Sequence, residues 1–130
     1  MKRVYVPPKK YDSVILSWHD ITACPIPPRK KGYGCDWITF ESIDTCLKNN
    51  HLEDVNVPQT IHSHHAARIA SLVKILQSGE LLTSIHFHVG ARIAIYDGNH
   101  RFRAYQFTGL LDNIPSIITG YNKHHLIKKD

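Results

Sequence analysis

The most regular hydrophobic pattern in the chain begins after residue 58. Apolar residues recur there at steps of three and four positions, which is the spacing of one face of an α-helix. Ser63 is a suitable N-cap before the pattern, and Gly79 ends it. The pattern predicts an amphipathic helix of about four turns. Its apolar face would consist of Ala66, Ile69, Leu72, Val73 and Leu76.

The next stretch changes to strict alternation of apolar and polar residues. Residues 85–89 alternate in this way, and residues 93–95 do so again after Gly90 turns the chain. Alternation with a period of two is typical of half-buried strands, so the two segments predict a hairpin. His86 and His88 would share its solvated face, with a metal or catalytic role as the alternative.

A tight turn follows the second predicted strand without a spacer. The aromatic-rich segment after this turn ends at Gly109, a suitable residue just past the end of a helix. Residues 114–118 then predict a last strand. Pro115 indicates that this strand either lies at an edge of the sheet or starts there.

The first 57 residues contain no long periodic element, because prolines and glycines interrupt them. β-Branched and aromatic residues predict short strands at residues 13–18 and 36–40. Ser42 is a candidate cap for a short helix that runs through Leu47. We therefore expect an irregular segment before the regular core.

These patterns predict a single α/β domain over residues 1–130, and an apolar content of 42% is enough for one core. Its parts would be the irregular residues 1–57, a core at residues 58–120 and a basic tail at residues 121–130. The tail is expected to fray or to lie on the surface.

The formal net charge of +5 comes from 16 basic and 11 acidic side chains. It favours polyanionic partners such as nucleic acid or nucleoside phosphates, although a charge of this size also serves solubility alone. No window approaches the roughly 20 apolar residues that a membrane span needs, and the N-terminus lacks a secretory pattern. We therefore expect a cytoplasmic protein without membrane contact.

The chain contains three cysteines, Cys24, Cys35 and Cys46. An odd number of cysteines without a C-x-x-C pair argues against a disulfide framework. Reduced structural thiols are the expectation. A zinc site formed with some of the ten histidines is the alternative. Metal ligands usually occur in pairs about two to four residues apart, and these cysteines do not.

The turn at residues 97–101 is the strongest candidate for chemistry. A helix that begins directly after a strand presents unpaired N–H groups and its positive dipole end, which suit a phosphate. Gly98 allows close approach of a ligand, while His100 and Arg101 bring donors to the same place. Asp97 could hold Mg²⁺, orient His100 or act as a general base.

A purely structural interpretation of this turn is also open. Asp-Gly-Asn is a common turn sequence, in which Asp97 or Asn99 could cap the helix. Arg101 and Arg103 would then face solvent. The two interpretations differ in whether the first turn of the helix is free to receive an anion.

Residues 95–105, with the run Asp-Gly-Asn-His-Arg, resemble the signature segment of the ParB/sulfiredoxin superfamily. The resemblance implies a small mixed sheet with packed helices and a turn that binds nucleotide phosphates. Asn99 stands where sulfiredoxins carry their catalytic cysteine, and no helix-turn-helix domain follows, so sulfinic acid reduction and operator binding are not expected. The run His62-Ser63-His64-His65 lies where a kinase-like branch has its acidic base.

The function that we expect is binding of ATP or another nucleoside triphosphate, with Mg²⁺-dependent phosphohydrolase or phosphotransferase activity. Gly98, Asn99 and Arg101 would bind the phosphates, Asp97 would position metal or water, and His100 would donate or transfer a proton. The substrate side or the second layer of the site would comprise His62, His64 and Arg103. A DNA-binding protein or nuclease, and a non-catalytic interaction or inhibitor protein on the same scaffold, are the alternatives. The candidate partners are a nucleotide, DNA, another protein or a second copy of the chain.

Overall fold

The computed structural model describes residues 12–55 and 64–127, and within those ranges it contains four strands and four α-helices. The strands are β1 (Asp12–Leu16), β2 (Ile85–Val89), β3 (Ile93–Asp97) and β4 (Ile114–Thr119). The α-helices are α1 (Trp18–Thr22), α2 (Phe40–Lys48), α3 (His65–Gln77) and α4 (Asn99–Thr108). The strands form one sheet in the order β1-β4-β2-β3, with β2 and β4 parallel and the other pairs antiparallel. The predicted α/β class is thereby confirmed.

Helix α3 confirms the amphipathic helix expected from the apolar pattern. Its N-cap is His64, whose Nδ1 accepts a hydrogen bond from the Ala67 N–H at 3.2 Å. The cap predicted at Ser63 lies outside the described residues. The inward face is covered, and Ile69 and Val73 are fully buried. Since each such side chain contributes about 1.5–3 kcal/mol on burial, this face fixes α3 against the rest of the core.

Phe102 of α4 is the centre of an aromatic cluster that joins the two halves of the chain. Its ring centroid lies 5.2 Å from that of Trp18, 5.2 Å from that of Tyr33 and 5.9 Å from that of Phe87. Gly34 approaches the same ring so closely that a Cβ there would lie 2.5 Å from Phe102 Cδ2. The N-terminal segment is therefore part of the core that positions α4.

The predicted hairpin is confirmed by β2 and β3, and the last predicted strand by β4. The edge position suggested by Pro115 is wrong, because β4 lies between β1 and β2. Pro115 stands opposite Ile15 of β1, and the parallel pairing with β2 begins only at Ser116. The missing N–H of proline therefore falls just outside the ladder with β2, which agrees with a position at the start of the strand.

The strand predicted at residues 36–40 is wrong. A 3₁₀ turn covers Tyr33–Cys35, and Thr39 is the N-cap of α2, where its hydroxyl accepts the Ser42 N–H at 3.1 Å. The β-branched residue thus begins a helix instead of extending a strand, and the cap predicted at Ser42 is three residues too late. Strand β1 confirms the other predicted strand over residues 13–16. Ser17 is then the N-cap of α1, which begins at Trp18.

Within the described residues the C-terminal segment does not fray and lies largely on the surface, which is the second of the two outcomes expected for it. A 3₁₀ turn over Lys123–His125 brings Leu126 to 1% exposure. The segment is attached to β2, because the Asn122 N–H donates to the Val89 carbonyl at 2.9 Å. Among residues 12–55 and 64–127, no helix combines the length and apolar character that crossing a bilayer requires.

Candidate functional site

A cavity of about 660 Å³ opens where β3 passes into α4. Its walls come from the turn between these elements, from α3, from the loop before β2 and from the segment around the 3₁₀ turn Tyr33–Cys35. All five residues of the predicted turn, Asp97 to Arg101, lie in this wall. The volume falls within the roughly 300–1,000 Å³ that is usual for small-molecule sites.

The first turn of α4 has no side-chain cap within the described residues. Gly98 occupies the N-cap position with φ 104°, a conformation that favours glycine. The Phe102 N–H donates to the Gly98 carbonyl at 2.8 Å, which closes the first turn of the helix. The Asn99 side chain instead accepts the Gly34 N–H at 3.0 Å. The capping role proposed for Asp97 or Asn99 is therefore wrong, and the positive end of α4 lies in the cavity wall.

Gly98 is also required by its neighbours. A Cβ at this position would lie 3.0 Å from Nη2 of Arg101 and 3.2 Å from Cγ1 of Ile85. Both the backbone conformation and the space therefore select glycine. A larger residue would have to displace the arginine that lines the cavity.

Arg101 does not face solvent, contrary to the structural interpretation of the turn. Its Nη2 donates to Asp97 Oδ2 at 2.9 Å and to the Ser84 carbonyl at 3.2 Å, and its side chain is 19% exposed. Its Nε is buried and has no hydrogen-bond partner among the described residues. A buried donor without a partner costs free energy, so the described part of the fold leaves this guanidinium incompletely satisfied.

His100 and His65 form a pair that joins α4 to α3. Nδ1 of His65 and Nε2 of His100 are 2.8 Å apart, so one ring donates a hydrogen bond to the other. Burial, assisted by the charges of His65, Arg68 and Arg101, lowers the pKa of His100 to about 4. His100 is therefore a neutral imidazole near neutral pH.

Arg68 is a second arginine of the cavity, and the sequence interpretation did not include it. It lies on α3 at 8% exposure, and its Nη1 is 3.3 Å from Glu53 Oε1. A signal was present, because Arg68 is four residues before Leu72 and therefore on the apolar face of the predicted helix. A charged residue at such a position is buried with a partner or serves a site.

Exposed apolar side chains stand at the mouth of the cavity. Trp37 is 58% exposed, Tyr96 57% and Leu81 76%, and all three belong to the lining. The Trp37 ring contacts His65 edge-on, with centroids 4.9 Å apart. The cavity therefore combines exposed apolar side chains at its mouth with charged side chains in its wall.

Two of the residues predicted for the second layer do not line this cavity. Arg103 donates to the Ile38 carbonyl through Nε at 2.9 Å and Nη2 at 2.8 Å, and its guanidinium lies 4.3 Å from the centre of the Phe40 ring. His64 caps α3 and contacts Cys46 instead. His62 lies outside the described residues. His65, adjacent to His64, is the histidine of this segment that reaches the cavity.

The hairpin histidines are not a solvated face, which corrects the expectation for them. His86 is 5% exposed, and its Nε2 lies 2.8 Å from the Thr119 hydroxyl, while Nδ1 of His88 lies 3.0 Å from the same oxygen. The Tyr96 ring stacks on His88 with centroids 4.5 Å apart. The reason is topological: β2 is an internal strand, so residues from both neighbouring strands cover its polar side.

Comparisons with family models, curated proteins and solved structures found no match for this chain. The resemblance of residues 95–105 to the ParB/sulfiredoxin signature therefore stays a prediction. Any function assigned to the chain depends on the geometry of the cavity.

Proposed function

We propose that the cavity between α3 and α4 binds a nucleoside phosphate, with a phosphate group at the N-terminus of α4. The observation that carries this proposal is the uncapped first turn of a ten-residue helix behind Gly98, in the wall of a cavity that also contains Arg101. Backbone N–H groups at such a terminus bind phosphate oxygens directly. The helix dipole adds about 0.3–1 kcal/mol, and up to about 2 kcal/mol where the site is partly buried.

The charges around the cavity assign distinct roles to its residues. Arg101 is paired with Asp97 and Arg68 with Glu53, so neither arginine is an unbalanced charge. The helix terminus is then the main attraction for the phosphate, and Arg101 adds directed hydrogen bonds. Asp97 acts as a positioning residue, because its carboxylate holds the guanidinium against the Ser84 carbonyl.

The exposed apolar side chains at the mouth of the cavity, which form its rim, favour a nucleotide over free phosphate as the ligand. Trp37 offers a large ring beside the polar cavity, and stacking of a base on an aromatic side chain contributes about 1–3 kcal/mol. One face of the Tyr96 ring is stacked on His88, whereas the Trp37 ring makes a T-shaped contact with His65 of the cavity, so we assign the base to Trp37.

Magnesium enters this proposal with the nucleotide and not as a resident ion. The Asp97 oxygen that lies 2.9 Å from the Arg101 guanidinium already has a cationic partner, so the carboxylate does not fit a dedicated metal site. Mg²⁺ commonly binds through substrate phosphates and water with few protein ligands. Glu80, in the same lining, is the acidic side chain available to such an ion at the cavity mouth.

Hydrolysis of the bound nucleotide is a second candidate function, favoured by the pair His65 and His100. In the tautomer where Nε2 of His100 donates to His65, Nδ1 of His100 is free to accept a proton from water. Its low pKa keeps this nitrogen unprotonated near neutral pH. Turnover then depends on whether a bound phosphate comes within reach of His100.

Thermal denaturation with ATP, CTP, GTP and ADP, each with and without Mg²⁺, tests the binding proposal. A ligand present at about 100 times its Kd stabilises the folded protein by about 2.7 kcal/mol, so the melting temperature should rise. Arg101→Ala should reduce the rise, whereas the exposed Arg92 offers a matched control in Arg92→Ala. A wild-type protein that does not respond to any nucleotide at millimolar concentration contradicts the proposal.

Measurements of DNA binding and of phosphate release separate the alternative functions. A DNA-binding protein or nuclease should bind duplex DNA with an affinity that falls steeply with salt. A non-catalytic inhibitor should neither respond to nucleotides nor release phosphate. Phosphate release that is lost in His100→Gln, with nucleotide binding retained, would establish the hydrolase.

A further inference from the structure

A second group of side chains with ligand chemistry lies outside the cavity, where the end of α2 meets the start of α3. Cys46 belongs to the last turns of α2, His51 follows that helix, and His64 is the N-cap of α3. Their ligand atoms, one per residue, all lie within 4.8 Å of one another. None of the three lines the nucleotide cavity, so a role for this group is independent of the proposed function.

The distances are close to those of a tetrahedral metal centre. Sγ of Cys46 is 3.9 Å from Nδ1 of His64, and the rings of His51 and His64 are stacked with centroids 5.0 Å apart. Around tetrahedral zinc, with bonds of about 2.3 Å to sulfur and about 2.0–2.1 Å to nitrogen, ligand atoms are about 3.4–3.6 Å apart. Small rotations of the two imidazoles would bring the three atoms to that spacing.

We propose that Cys46, His51 and His64 bind one Zn²⁺ ion, with water as the fourth ligand. Cys46 would bind through its sulfur and each histidine through one ring nitrogen. One thiolate and two imidazoles suit the borderline-soft zinc ion, and three protein ligands leave the fourth position open. Burial of Cys46 at 4% and exposure of both histidines give the site a closed inner side and an open outer side.

Binding forms a bond to the ion at all three side chains and breaks an existing bond at two of them. The Cys46 S–H bond breaks, its proton goes to solvent, and the sulfur forms a bond to the ion. Nδ1 of His64, the nitrogen that faces Cys46, exchanges its hydrogen bond from the Ala67 N–H for a bond to the metal. The backbone N–H of His64 keeps its hydrogen bond to Glu53 Oε2 at 2.7 Å, which holds the residue in place. A bound ion would thus connect the end of α2 to the start of α3.

Zinc titration of the metal-free full chain against a chromophoric chelator tests this site. We expect one Zn²⁺ ion per chain in the wild type. His51→Gln should weaken binding by at least about 100-fold, because loss even of an outer partner costs about 10- to 100-fold. His51 is exposed, so this variant should keep the wild-type fold, which circular dichroism verifies.

Cobalt(II) supplies a readout that adventitious histidine binding cannot imitate. With Co²⁺ as the probe, the wild type should show a thiolate-to-metal charge-transfer band that Cys46→Ser removes. Cys24→Ser and His124→Gln are the matched controls, since they alter a free thiol and an exposed paired histidine elsewhere. Both controls should keep the wild-type zinc affinity and the cobalt band.

Three results would overturn the zinc site. One is a zinc affinity that His51→Gln leaves unchanged, and another is a cobalt band that persists in Cys46→Ser. Equal loss of zinc binding in His124→Gln would likewise assign the ion to surface histidines. In each case the three side chains serve packing and helix capping alone.

Discussion

Arg101 and Arg103 lie two residues apart on α4 and face nearly opposite directions, because each helical residue turns about 100°. Arg103 donates two hydrogen bonds to the Ile38 carbonyl, and its guanidinium packs over the Phe40 ring. Arg101 lies in the cavity wall, held by Asp97, and keeps a buried Nε without a partner among the described residues. The described contacts thus satisfy the guanidinium of Arg103 more fully than that of Arg101, the arginine of the proposed phosphate site.

On the face of α4 that carries Arg103, a substitution should have the largest effect on stability. Arg103→Ala removes two charge-assisted hydrogen bonds to one carbonyl, and we expect a loss of about 2–3 kcal/mol in the free energy of unfolding. Urea denaturation measures it, with the exposed Arg92→Ala expected to change by less than about 0.5 kcal/mol. Nucleotide affinity should be retained once the protein is folded. Unchanged stability would show that the Ile38 contact does not anchor α4.

On the face of α4 that lines the cavity, substitution of Arg101 should affect nucleotide affinity more than stability. Arg101→Ala is expected to lower nucleotide affinity by about 10- to 100-fold, which corresponds to about 1.4–2.7 kcal/mol. Its cost in stability should be smaller, because the partner Asp97 has a side chain that is 40% exposed and water can solvate it. Isothermal titration calorimetry measures the affinity. Equal affinity in wild type and Arg101→Ala would remove the difference between the two faces.

His100 provides a pH-dependent distinction on the cavity face. Its pKa is about 4 in the folded protein, against 6.5 for an unperturbed histidine, so between these values the unfolded chain binds more protons. Stability should therefore fall as the pH falls from about 6.5 to about 4, and change little from this source below that range. After allowance for partial exposure, the loss is about 1–2 kcal/mol.

His100→Gln should flatten this pH dependence, which thermal melts across the pH range can show. A bound phosphate should also raise the pKa of His100, because a nearby anion favours the imidazolium form. NMR titration of the His100 ring with and without nucleotide measures that shift. A variant with the same pH profile as the wild type would contradict the assignment.

The elements that could be predicted from the sequence are those set by local patterns. The apolar period predicted α3, alternation predicted β2 and β3, and the Asp97–Gly98 turn located the start of α4. The strand expected at residues 36–40 failed because contacts distant in sequence decide that segment. Arg103, from the other half of the chain, donates to the Ile38 carbonyl within this segment, and Gly34 meets Phe102 just before it.

Only the part of the candidate site that is continuous in sequence could be predicted. The turn at residues 97–101 lies in the cavity wall, but Arg68, His65 and Trp37 reach the cavity through the packing of other elements. His64 and His65 illustrate the limit, since one caps α3 and the other faces α4. Which of two adjacent histidines turns toward a site depends on the helix start, to within a single residue.

The smallest effect is expected at the rim, where Trp37 and Tyr96 are almost equally exposed. Trp37→Leu should lower affinity for nucleotides by about 1 kcal/mol while leaving affinity for pyrophosphate unchanged, because only the base stacks. Tyr96→Leu is the matched control, since its ring is already stacked on His88. Competition binding with ATP and pyrophosphate compares the variants. If Trp37→Leu weakened both ligands equally, the tryptophan would shape the cavity without contacting a base, and the rim would no longer favour a nucleotide over phosphate alone.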